Sequence, residues 1–146
     1  MKYHREIIKF RTNAQTEFVD ITDRVQDVID ASGIREGRVC VYAQHTTMGV
    51  AINHNEPMLL QDFMNLLERI APSDEQYAHD LFELKKGRRT DGRSNGNAHC
   101  KALIVGAEVA VPIDNGKMIL SDIQSIFAIE FDGSRDRDAI ISVSGI

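Results

Sequence analysis

The sequence predicts one α+β domain, a compact arrangement of antiparallel, sandwich-like sheets with about two substantial helices. Three observations point there. Short apolar runs bounded by turn residues recur along the chain, the mark of strands. One segment, "MLLQDFMNLLERI", instead spaces Leu59, Leu60, Phe63, Met64, Leu66, Leu67 and Ile70 as a wide helical stripe. The triplet Asp114-Asn115-Gly116 is a strong hairpin signal, and hairpins join antiparallel strands. No internal repeat and no second domain is visible in residues 1–146.

Taken in order, "YHREIIKFR" and "EFVDI" read as strands separated by the polar turn "TNAQT". Thr22 is placed to cap a short helix, "DRVQDVIDAS", in which Val25, Val28 and Ile29 share a face and Gly33 marks the stop. "GRVCVYAQ" and "GVAIN" are strands joined by the polar turn from His45 to Met48. Asn55 or Glu56 can cap the long helix, Pro57 suits its first turn, and Ala71-Pro72 ends it. Ser73 with Gln76 reads as a capping box for a further short helix through Tyr77, Leu81 and Leu84. Lys85 to Asn97 is polar, rich in glycine and basic residues, and predicts a mobile loop. "HCKALIVG", "EVAVPI", "KMIL", "FAIEFD" and "AIISVSG" read as strands.

Composition narrows the function. An apolar fraction of 42% with 27% charged residues belongs to an ordinary globular protein with a real core. A net charge of -5 argues against broad binding to nucleic acid or to an anionic membrane. No apolar run is long enough to span a bilayer, and "MKYHREIIKF" lacks the pattern of a secretory leader, so a cytoplasmic location is expected. Cys40 and Cys100 each lie in an apolar run and form no CxxC, which predicts two reduced, buried thiols.

The chemistry-bearing residues are histidines. His45 lies where a buried strand ends, followed by Thr46 and Thr47, and Asn53 closes the next strand. "YAHD" brings Tyr77, His79 and Asp80 together. On the strand predicted for "NAHCK", His99, Lys101 and Leu103 share one face, which suits a polar cleft holding a phosphorylated ligand or a metal. Three neutral imidazoles and a carboxylate could bind a divalent ion such as zinc, although no tight spacing like HExxH is present. Arg135 and Arg137 are surface cations or reach a phosphate. The glycines at 87, 92 and 96 match neither a P-loop nor a dinucleotide fingerprint, and no Gly-x-Ser-x-Gly elbow suggests a serine hydrolase.

The ordered set "QHTTMGVAIN", "YAHD", "AHCKALIVG", "VPIDNGKMIL", Gln124 and "EFDGSRDR" resembles the YjbQ-like family, which carries the name secondary thiamine-phosphate synthase. The resemblance runs from about Gln44 to the end. It implies a homotrimer and a polar site at His45, Thr46, Asn53, His79, Asp80, His99 and Lys101, with Gln124, Glu130 and Arg135 as further matching positions. It also implies a metal on His45, His79 and His99. His45, His99 and Lys101 are therefore the expected catalytic groups, and Thr46, Thr47, Asn53, Gln124 and Arg135 the expected substrate contacts. Two activities follow as expectations: a metal-assisted transferase or hydrolase on a phosphorylated small molecule, or a ligand-binding trimer in which the histidines hold a structural metal.

Overall fold

The structure is a computed structural model and describes residues 1–85 and 94–146. The elements run β1 (Lys2–Arg11), β2 (Glu17–Asp20), α1 (Thr22–Ser32), β3 (Gly37–Tyr42), β4 (Met48–His54), α2 (Pro57–Ile70), α3 (Ala78–Lys85), α4 (Gly96–Val105), β5 (Glu108–Asp114), β6 (Lys117–Met118), β7 (Gln124–Glu130) and β8 (Asp136–Gly145). The strands build two sheets, β1-β8-β3-β5-β6 and β2-β7-β4, with every neighbouring pair antiparallel. The α+β architecture expected from the sequence is the observed one. β1 and β2 are consecutive yet lie in different sheets.

Strand alternation decides what each face covers. On β8 the buried row is Arg137, Ala139, Ile141 and Val143. Its apolar members join Val39, Val41, Val111, Ile113, Ile126 and Ala128 in the core between the sheets. On β7 the other face carries Phe127 and Ile129, which pack with Leu67 of α2 and Ala98 and Ala102 of α4 in a second core. β7 is therefore buried on both sides, which is why "FAIEF" is apolar at nearly every position.

Local chemistry explains the boundaries. Pro57 opens α2, and the Glu56 carboxylate accepts the Met58 and Leu59 N–H groups at 3.1 and 2.6 Å. Gly33 ends α1 at φ 70°, and Asn115-Gly116 turns β5 into β6 with φ 52° and 80°. Thr22 does not cap α1. It is already helical, and its hydroxyl donates to Asp20 Oδ1 while accepting the Ile126 N–H. Ser73 does not start α3 either; its N–H and hydroxyl both donate to Glu68 on α2, at 2.7 and 2.8 Å.

The main departure from sequence expectation is α4. Residues 99–105, expected to form a strand, are helical. Ala98, Ala102 and Val105 pack on the small sheet, and this i, i+4, i+7 spacing is hidden inside a run apolar enough to read as a buried strand. The expected loop from Lys85 to Asn97 is also shortened. Lys85 ends α3, Asn95 is the N-cap of α4, and Asn95, Gly96 and Asn97 are buried. The expectation of a mobile loop falls mainly on residues 86–93, which lie outside the described residues.

Candidate functional site

The β3–β8 ladder ends at Tyr42 opposite Ile140. The chain continues alongside β8, and His45 Nε2 reaches Asp138 Oδ1 at 2.9 Å. A carboxylate can only accept, so Nε2 carries the proton in this contact. The Asp138 backbone N–H also faces this nitrogen, from 3.4 Å, but finds no lone pair to donate to while Nε2 carries the proton. His45, Thr46 and Met48 form one wall of a 440 Å³ cleft whose other wall is His99, Ala102 and Leu103 of α4. Gly49 lets α4 come this close, because a Cβ there would lie 2.7 Å from Val105 Cγ1 and 2.9 Å from the Gly106 carbonyl.

Behind His99 stands a polar chain. The His79 ring packs edge-on against His99, centroids 4.7 Å apart at 74°. His79 Nε2 contacts Asn95 Oδ1 at 3.1 Å, and Asn95 Nδ2 donates to Asp132 Oδ2 at 3.1 Å. Arg135 donates to the same carboxylate oxygen at 3.0 Å and to the Asp132 carbonyl at 3.1 Å. The other Asp132 oxygen is buried without a hydrogen-bond partner among the described residues. Asp80, beside His79, accepts the N–H groups of Asn95 and Gly96, both at 3.0 Å, and so satisfies the start of α4. Gly96 has to be glycine for this: a Cβ would fall 2.5 Å from Tyr77 Cβ.

Several expected site residues go elsewhere. A helix turns 100° per residue, so Lys101 points away from His99 instead of beside it. Its ammonium is buried and donates to Glu68 at 2.9 Å and Asn97 at 3.0 Å. Burial pushes the Glu68 carboxyl up, but the Ser73 and Lys101 donors outweigh it and hold the group below its ordinary range. Thr47 is buried under the sheets, where its hydroxyl accepts from Arg137 at 2.7 Å. Arg137 in turn donates to both oxygens of Glu130, at 2.9 and 2.5 Å. Burial acts to raise the Glu130 carboxyl, and the donors Arg137, the Asp132 N–H and Thr12 bring it below its ordinary value. Asn53 and Gln124 sit at the opposite end of the β4–β7 ladder from Met48 and Glu130, about 17 Å away at strand rise. Asn53 Oδ1 accepts its neighbour's N–H, and Gln124 Oε1 accepts the Ser121 N–H.

The donor chemistry of three imidazoles suits a zinc-like ion. Their placement is looser than such a site needs. His79 and His99 pack together, His45 is on Asp138, and among the described residues no three histidine, cysteine or acidic side chains stand where they could hold a metal. Cys40 and Cys100 are free thiols, each half-buried.

The family model for UPF0047 protein YjbQ-like matches residues 6–146 of the chain. The protein belongs to the YjbQ-like family. It is 36% identical over 145 residues to a UPF0047 protein of Methanothermobacter thermautotrophicus, covering 99% of this chain and 94% of that one. The UPF0047 protein YugU of Bacillus subtilis is 33% identical over 139 residues, covering 94% and 97%. Among solved structures, a YbjQ-like protein of unknown function from Sulfolobus solfataricus superposes with a TM-score of 0.90 at 29% identity, covering 99% of both chains. A YjbQ/UPF0047 family protein from Clostridium acetobutylicum does so with a TM-score of 0.83 at 31% identity, covering 95% and 99%.

Within this YjbQ-like chain, the sequence did not point to Asp138 and Asn95 as partners of His45 and His79, or to Asp132 as the partner of Asn95. Asp138 is hidden in the charged run "SRDRDA", which reads as a strand end. A signal for Asn95 was available: Asn-Gly-Asn ahead of an apolar run is a helix start. Reading it so would also have revealed α4.

Proposed function

We propose that the protein is an acid–base enzyme acting on a phosphorylated small molecule in the cleft between His45 and His99, transferring or hydrolysing its phosphate-bearing group. The observation that supports this most is that these two imidazoles, distant in sequence, line one cleft together with the Thr46 side chain and otherwise mostly apolar walls. Asp138 orients His45 and stabilises its imidazolium, so His45 can take up a proton and return it to a leaving oxygen. The protonated ring also supplies positive charge to a departing phosphate, a role that Lys101 and Arg135, each already on a carboxylate, are badly placed to fill. Secondary thiamine-phosphate synthase, the name carried by the resemblance, would be a neighbouring reaction in which pyrophosphate is again the leaving group but the carbon group it departs from is what is transferred.

The test is release of phosphate or pyrophosphate from a panel of phosphorylated small molecules. His45→Ala and His99→Ala should each lower the rate roughly 100-fold or more, while Asn53→Ala and Gln124→Ala leave it within about twofold. Equal losses in all four would sink the assignment of the cleft. A second reading, a ligand-binding protein with a divalent ion on the histidines, requires His79 and His99, which are in ring contact, to part around the ion. Under that reading the protein binds zinc, His79→Ala and His99→Ala lose it, and no substrate turns over. A homotrimer belongs to either reading. Leu103, at the cleft rim and 84% exposed, is the apolar side chain that a neighbouring copy would cover.

A further inference from the structure

We infer that Asp132, acting through Asn95, holds His79 as the Nε2–H tautomer and thereby sets the orientation of His99 at the cleft. Asn95, Asp132 and Arg135 are positioning residues in this assignment, not groups that touch a substrate.

The deduction runs from donors and acceptors. Arg135 donates to Asp132 Oδ2, and a guanidinium cannot accept, so that oxygen acts as an acceptor. The end of the Asn95 amide that faces Asp132 must then be the NH2 group. This removes the usual ambiguity of an asparagine side chain, whose two ends look alike. The opposite end, 3.1 Å from His79 Nε2, is a carbonyl oxygen, and it needs a donor. Nε2 therefore carries the proton, and Nδ1 is left as the acceptor nitrogen of the neutral ring.

Asn95 is itself anchored. Its N–H is bound by Asp80, on the same helix as His79, at 3.0 Å, and the residue is buried at the start of α4. Three elements thus meet on one residue: α3 through His79 at the Asn95 side chain and Asp80 at its backbone N–H, α4 through its own N-terminus, and the segment after β7 through Asp132. A ring held at one nitrogen and packed 4.7 Å from a second ring limits how that second ring can turn. His99 also lines the cleft, so the chain Arg135, Asp132, Asn95, His79 ends on a group exposed to any bound molecule. The link to catalysis rests on the function proposed above; the tautomer does not, and its measurement requires no turnover.

The experiment is nitrogen-15 NMR of the histidine side chains in the full-length protein, at about pH 8, above the ordinary histidine pKa near 6.5. The His79 signals are identified by their loss in His79→Gln. The expected result is a directly bonded N–H signal at His79 Nε2, slow to exchange with water, with Nδ1 unprotonated. In Asp132→Ala no acceptor remains to fix the Asn95 amide, which can then take either orientation, and in Asn95→Ala the acceptor of the His79 proton is gone. Both variants should exchange this proton roughly two- to tenfold faster, the range expected for loss of one hydrogen bond. The backbone spectrum reports whether each variant is folded, and either folded variant suffices. A wild-type signal showing the proton on Nδ1 overturns the inference. So does unchanged exchange in a folded variant. Absence of turnover together with a locked Nε2–H tautomer would reject the proposed activity and leave the positioning chain standing.

Discussion

Replacing Arg137 by Met should be among the most damaging single changes in this protein. Arg137 occupies the first place in the inward row of β8, where an apolar residue would be expected, and its side chain is 3% exposed. It donates to both Glu130 oxygens and to Thr47, and the Glu130 side chain is fully buried. Removing Arg137 leaves a buried carboxylate without its counter-charge, held only by Thr12 and the Phe131 and Asp132 N–H groups, at a cost of about 3–5 kcal/mol. A chain of 146 residues has an unfolding entropy of about 0.3 kcal/mol per kelvin near its midpoint. The melting temperature should therefore fall by about 10–15 °C, read by circular dichroism. The double variant Glu130→Met/Arg137→Met removes both charges and should recover part of that loss, because the unpaired carboxylate is gone. A drop below about 3 °C for Arg137→Met, or a double variant as unstable as the sum of the singles, would refute the claim that an isolated buried charge is what costs stability here.

Further outcomes follow from the same structure. Glu130 is held below its ordinary value near 4.5, so its contribution is present above that pH and lost as pH falls through the lower folded-state value. Wild type should lose stability on acidification below about pH 4.5 more steeply than Glu130→Gln, measured by urea titration at several pH values. Gly96→Ala forces a Cβ to within 2.5 Å of Tyr77 and should cost about 1–3 kcal/mol, seen as a lower urea midpoint. Asp138→Asn should lower phosphate release from any substrate the protein turns over while leaving the melting temperature nearly unchanged, since Asp138 faces the partly exposed side of β8. Light scattering should report a trimer at micromolar concentration, and Leu103→Glu should shift it toward smaller species.

Much of this molecule could be read directly from residue order. Period-two alternation, the Asn-Gly hairpin, Pro57 after Glu56, and Gly33 are local signals, because each depends on the backbone geometry of a few neighbouring residues. The family was also visible as ordered motifs, and the same motifs contain His45, Thr46 and His99, which the fold brings to one cleft, and His79, which packs on His99. What local signals could not decide was helix or strand for a short run apolar throughout, and α4 was misread for that reason. That choice belongs to packing: Ala98 and Ala102 are small enough to let a helix lie against Phe127 and Ile129, and Asp80 supplies the acceptor its first turn needs. Tertiary structure then sorted the candidates. It turned Lys101 onto Glu68 and Thr47 onto Arg137, and it left Asn53 and Gln124 at the far end of a ladder. It also supplied Asp138, Asn95 and Asp132, separated from their histidines by 93, 16 and 53 positions, the last measured to His79 through Asn95 at 37. A hydrogen-bond partner that far along the chain is chosen by how sheets and helices stack, and no spacing rule in a single sequence encodes that choice.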